Sequence, residues 1–207
     1  MSKPALRTLW IIGGANGVGK TRYAREHIQQ VTGSRRFVNL DEIARGLSPF
    51  DPVAEQVAAA RIVLSRLNDF IEGRHLNGNP VVTLETTLSG RTYLQLIARA
   101  RRFGARVNLL YFAVANASIC VERVKRRVAE GGHHVAEEDI HRRFDRSVAN
   151  FHAYAALSSH WRVFDNNDST PRSVAEGVGS IGHHLSDALE DLPQALTDQL
   201  KEMNTPA

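Results

Sequence analysis

One cysteine, Cys120, stands in 207 residues, so the chain cannot close an internal disulfide and a secreted, disulfide-stapled domain is excluded; a reducing, cytoplasmic setting is expected. Cys120 falls in a helical apolar stripe with Val124 and Val128 and reads as a buried structural thiol. No apolar run approaches the roughly 20 residues that span a bilayer. The first apolar stretch runs straight into glycines, which predicts a strand rather than a signal sequence. Repeats, low-complexity tracts and linker-like boundaries are missing, so a single domain over residues 1–207 is expected. Aromatic residues make up only 7% and are not interleaved with the basic ones, which argues against a nucleic-acid platform. No histidine or cysteine accompanies His133 and His134 at zinc-ligand spacing, so no zinc site is expected there.

What is present is an alternation of short apolar segments with longer amphipathic ones, the pattern of an α/β protein with a mainly parallel sheet. Strands are expected at "LWIIGG" (9–14), "RFVNL" (36–40), "PVVTLET" (80–86), "RVNLLYFAV" (106–114) and "WRVFDN" (161–166). The fourth of these is apolar throughout, as a strand buried on both faces should be. Helices are expected over 19–31, 52–76, 91–103, the arginine-rich stretch after 117, and a segment ending near Leu157. Pro193 should break or kink a peripheral, helical C-terminal region over about 171–207. Net charge is only +4, but nearly all basic residues are arginine, whose planar fork suits phosphate groups.

"GANGVGKT" satisfies the P-loop pattern in full: Gly14, then Ala15, Asn16, Gly17 and Val18, then Gly19, Lys20 and Thr21, between a strand and a helix. Such glycines let backbone amides converge on a β-phosphate, and the helix starting near Gly19 aims its positive end at the same anion. Lys20 would reach the β- and γ-phosphates and the Thr21 hydroxyl would ligate Mg²⁺. The cofactors expected are therefore ATP and magnesium.

Phosphoryl transfer to an alcohol further needs a carboxylate base, acceptor contacts and cations around the moving phosphoryl. They should gather at the carboxyl ends of the strands. Asp41 ends the second strand region and is the candidate base, with Glu42 its rival; a helix-cap role for Asp41 is the plain alternative. In "LETTLSGR" the alternation places Thr83, Glu85 and Thr87 on one side, followed by Arg91, a set suited to a hydroxyl-rich acceptor. Glu85 can alternatively serve as the acid that organises magnesium. Arg123 and Arg127 share a helix face; with His133 and Arg142 they lie in a stretch, about 123–150, expected to form an arginine-bearing lid that neutralises charge and excludes water.

"GGANGVGKT", "FVNLDEIARGLSP", "LETTLSGRTYL" and "RRVAEGGHHVAEEDIHRRF" together resemble, in order, segments of the zeta toxin family, particularly its compact bacterial branch. The resemblance runs from about Leu9 to Asn166. It implies an adenylate-kinase-like, three-layer P-loop kinase with a five-stranded, mainly parallel sheet and a helical lid. It further implies transfer from ATP to a sugar hydroxyl of UDP-N-acetylglucosamine or a related UDP-sugar, and an antitoxin protein as partner. On this chain it makes Lys20 the phosphate-binding lysine, Asp41 the base, Glu85, Thr87 and Arg91 acceptor contacts and Arg123 a lid-side phosphate contact. The acid-to-arginine segment is longer here than in the family's founding members, and their long C-terminal extension is missing. Two other functions use the same loop. A nucleotide-dependent ATPase or binding protein would be expected to carry an "LSGGQ"-like signature, which is not found. A polynucleotide 5′-hydroxyl kinase would bind oligonucleotides in a salt-sensitive way.

Overall fold

The structure of the chain is a computed structural model that describes residues 6–74, 79–168, 170–186 and 188–205. In chain order the elements are β1 (Thr8–Gly13), α1 (Lys20–Thr32), β2 (Phe37–Asn39), α2 (Leu40–Leu47), α3 (Gln56–Glu72), β3 (Val81–Thr86), α4 (Thr92–Arg102), β4 (Arg106–Ala113), α5 (Ala117–Ala129), α6 (Glu137–Ala156), β5 (His160–Asp165), β6 (Arg172–Val178), β7 (Ile181–Leu185) and α7 (Gln194–Met203). Residues 75 and 76 of the helix expected over 52–76 lie outside the described residues.

Among the described residues the sheet has seven strands in the order β2-β3-β1-β4-β5-β6-β7. The first five run parallel, so their carboxyl ends share one edge, where the P-loop lies. β4 is buried along nearly its whole length, as its unbroken apolar sequence requires. On one face of the sheet Leu9 and Leu84 pack against Leu67, Phe70 and Ile71 of α3 and Ile97 of α4. Tyr111 meets Phe151 of α6 there, with ring centroids 5.0 Å apart. On the other face Tyr23 of α1 packs against Phe112 at 4.8 Å, and Phe112 stacks on Phe164 at 4.9 Å. Such aromatic pairs each add about 0.5–1.5 kcal/mol beyond their buried area. Helices on both faces of a parallel sheet make the three-layer α/β sandwich anticipated from the sequence.

Two expectations are corrected. The sheet has seven strands, not five, because residues 172–185 form an antiparallel hairpin that continues the sheet from β5. The C-terminal region is thus part strand rather than all helical, and it is not peripheral. Pro193 starts α7 rather than breaking a helix; Leu196 and Leu200 of α7 are buried in the core, and Gln199 Nε2 donates to the Val148 carbonyl of α6 at 3.0 Å. No helix among the described residues is long and apolar enough to cross a membrane.

Candidate active site

The loop between β1 and α1 turns on three glycines of positive φ, Gly14, Gly17 and Gly19. Gly19, φ 95°, is the N-cap of α1 without any side-chain cap, so the first amides of the helix face outward. Gly17, φ 85°, lies so close to α5 that a Cβ would stand 2.6 Å from the Cys120 carbonyl oxygen. Side chains are excluded there and the concavity is lined by backbone. Lys20 is buried, and its ammonium donates to the Ala15 carbonyl at 2.7 Å. Burial lowers its pKa, with Glu85 and Asp41 among the charges that oppose the shift.

Thr21 donates its hydroxyl proton to Glu85 Oε1 at 2.8 Å. β3 sets this pair, since Glu85 lies beside Ile12 of β1 in the parallel register. Burial raises the Glu85 pKa; Lys20, the Thr21 hydroxyl and the neighbouring Asn39 act against it. The second carboxylate oxygen, Oε2, is buried with no hydrogen-bond partner among the described residues. A hydroxyl and a carboxylate with a spare acceptor are oxygen donors of the kind a magnesium ion prefers. Glu85 therefore lies beside the P-loop, against Thr21 at the start of α1.

The cap of α2 is Asn39, whose side-chain oxygen accepts from the Glu42 amide at 3.1 Å. Asp41 is thereby released from capping. It sits in the first turn of α2 rather than on the strand, half-buried, with no hydrogen bond among the described residues. Its charge is felt by Lys20, Glu85, Arg127 and His133. Glu42 points elsewhere: it pairs with Arg25 at 3.0 Å on the exposed flank of α1.

Arg123 and Arg127 of α5 part company. Arg127 donates to the His133 carbonyl at 2.6 Å, its Nε is buried without a partner among the described residues, and Asp41, Arg45 and Glu85 are charges around it. His133 has its pKa lowered, by burial first, with Asp41 opposing and Arg127, Arg45 and His134 reinforcing. Arg123 turns to the other side and donates to the Asn166 and Asn167 carbonyls at 2.9 and 2.7 Å. Arg142 is exposed and paired with Asp139, whereas its neighbour Arg143 reaches Asn16 of the P-loop at 3.3 Å.

A profile described as an AAA domain, AAA_33, matches residues 9–151. The chain belongs to this family. A Haemophilus influenzae relative, itself described only as an uncharacterized protein, is 31% identical over 134 residues, 63% of this chain and 88% of that one. Among solved structures, the AvrRxo1-ORF1:-ORF2 complex has a TM-score of 0.70 at 18% identity, covering 98% of this chain and 72% of that chain. The same pair with ATP gives 0.67 at 17%, over 98% of this chain and 65% of that chain. The PezAT toxin–antitoxin system of Streptococcus pneumoniae gives 0.64 at 13%, over 98% and 80%. At such identities the likeness is one of fold, that of a P-loop kinase.

In this AAA domain the P-loop, Asp41, Glu85, Arg127 and His133 come together, while Arg142 stays outside. Thr87 bonds Ser89 at 2.8 Å in the loop after β3, and Arg91 is the exposed N-cap of α4. Between them Leu88 is fully buried at φ 56°, a strained conformation for a non-glycine residue. Its carbonyl accepts from the buried Asn150 amide at 2.8 Å, and Gly90 accepts from the Tyr154 hydroxyl at 2.7 Å. Three further residues belong to the crevice without a motif to announce them: Arg143, Arg45 and Asn166. The Asn166 amide donates to the Val18 carbonyl at 2.6 Å and fastens the P-loop to the "DNND" turn.

Proposed function

We propose that this AAA domain is an ATP-dependent kinase that transfers the γ-phosphoryl group to a hydroxyl of a small-molecule acceptor. A UDP-sugar such as UDP-N-acetylglucosamine is the acceptor class, following the zeta toxin resemblance. The observation that carries the reading is Asp41: a carboxylate with no hydrogen bond among the described residues, beside the P-loop lysine and two lid-side groups.

The amides of residues 14–19 and Lys20 hold the triphosphate. Thr21 and Glu85 would hold the magnesium ion, which supplies positive charge to the β- and γ-phosphates when bound. Asp41 takes the proton from the acceptor hydroxyl as that oxygen bonds to the γ-phosphorus and the bond to the β–γ bridging oxygen breaks; ADP leaves. Arg127 and Arg143 offset charge on the transferring group. Thr87 and Arg91, on the loop pinned by α6, contact the acceptor, and His133 closes the crevice from the α5–α6 turn. Arg123 acts one step back by fixing the 166–167 turn. An antitoxin protein is the partner this reading implies, and the cytoplasm its setting.

The test is incubation with ATP, magnesium and a panel of UDP-sugars, read by mass spectrometry. A mass gain of one phosphoryl group on at least one member is expected. Unchanged acceptors with ATP turned over to ADP would replace the kinase with the ATPase reading.

A further inference from the structure

Leu88 stands where three parts of the crevice meet. Among the described residues it is the one non-glycine at positive φ, 56°, and its side chain is wholly buried. That backbone conformation is unfavourable for a leucine, so the surroundings hold it there. A Cβ on Gly13, the residue that leads β1 into the phosphate loop, would lie 2.5 Å from Leu88 Cδ1. The leucine side chain thus fills the space the glycine leaves. Its amide donates to the Thr86 hydroxyl oxygen at 3.3 Å, and its carbonyl accepts from Asn150 of α6. Tyr154 holds the Gly90 carbonyl just beyond. Arg143, which reaches Asn16, shares one face of α6 with Asn150 and Tyr154, the three spread over about 16 Å of helix. One helix face and one leucine therefore connect the phosphate loop with the loop that bears Thr87 and Arg91.

We propose that Leu88 is a positioning residue that couples the two substrates: a filled phosphate loop favours the seated leucine, and the seated leucine presents Thr87 and Arg91 to the acceptor. This rests on the kinase reading above and adds to it that nucleotide prepares the acceptor side. Two states of the loop are set against each other. With Leu88 seated on Gly13, burial and the hydrogen bonds from α6 outweigh the backbone strain. With Leu88 withdrawn, the strain is relieved and the loop opens. Strain on one side and burial on the other keep the two states close in energy. Phosphates gripped by the amides of residues 14–19 fix the chain that follows Gly13, and with it the close-packed surface on which Leu88 rests. A ligand that binds one state better shifts the population toward it.

The experiment is hydrogen–deuterium exchange of the full chain, read by mass spectrometry on peptides covering residues 87–91. It is run with and without the non-hydrolysable analogue Mg-AMP-PNP, whose binding is followed in parallel by isothermal titration; no acceptor is needed. In the parent chain the analogue should slow exchange in this segment by about fivefold or more. Leu88→Ala should still bind the analogue but lose the slowing, and Leu88→Met, close to leucine in volume, should recover it. Asn150→Leu, of similar size but without the donor, should also lose it, and decides the matter if Leu88→Ala fails to fold. Bound analogue with unchanged exchange at 87–91, or equal slowing in Leu88→Ala and Asn150→Leu, would overturn this inference alone. No binding of the analogue would overturn it together with the kinase reading.

Discussion

Asp41 and Glu42 are adjacent, yet one turn of helix gives them opposite surroundings. With Asn39 as the cap, Asp41 faces Lys20, Arg127 and His133, while Glu42 is spent on an exposed pair with Arg25 that is worth little. His133 offers a direct probe of this geometry. Asp41 is the charge that holds the His133 pKa up against burial, Arg127, Arg45 and His134. Asp41→Asn should therefore lower it further, seen as a shift of the imidazole resonances in an NMR titration; an unmoved midpoint would separate the two side chains. The sign for stability follows. The folded-state pKa lies below the ordinary 6.5, so within that window the unfolded chain binds more protons and acidification costs stability. His133→Gln should flatten the loss of Tm as pH falls through and below 6.5. The P-loop was legible because all of its groups sit in one continuous run. Arg142 and Arg143 were harder, since one residue is a 100° rotation on a helix and only packing decides which arginine meets Asn16.

At the scale of elements, α6 does more than cover the sheet. The same helix holds Asn16 through Arg143, the strained Leu88 through Asn150, and Gly90 through Tyr154, so the phosphate loop and the loop after β3 share one strut. Asn150→Ala leaves a buried carbonyl unsatisfied and should cost about 1–3 kcal/mol in urea unfolding. A change within a few tenths would show that the loop holds itself. α7 is argued similarly: Leu196 is 0% exposed, and Leu196→Ala should cost about 2–5 kcal/mol, against nearly nothing for a peripheral helix. The five parallel strands and the helices α1 and α3 to α6 could be read from apolar runs and periodicity, whereas α2 could not. The β6–β7 hairpin could not. Its strands are short and polar on the exposed side, "IGHHL" has no clean alternation, and what defines them is hydrogen bonding to the edge of β5, a non-local partner that no window of sequence contains.

For the whole molecule, the parallel sheet gives two unlike ends. The carboxyl ends of the strands gather the P-loop, Asp41, Glu85 and the α5–α6 turn, because there each parallel strand hands the chain on to a loop or directly to a helix. The amino ends carry arginines that are scattered in sequence, Arg35, Arg36 and Arg106 among them. The account rests on Asp41 being the base beside a loop that grips a triphosphate. The most direct test pairs isothermal titration of Mg-ATP with steady-state transfer to the accepted sugar nucleotide, in the parent chain, Asp41→Asn and Glu42→Gln. The account predicts that Asp41→Asn keeps its ATP affinity within about threefold but loses roughly 10²–10⁴ in kcat, while Glu42→Gln stays near the parent in both. Retained turnover in Asp41→Asn, with the loss falling on Glu42→Gln instead, would contradict it.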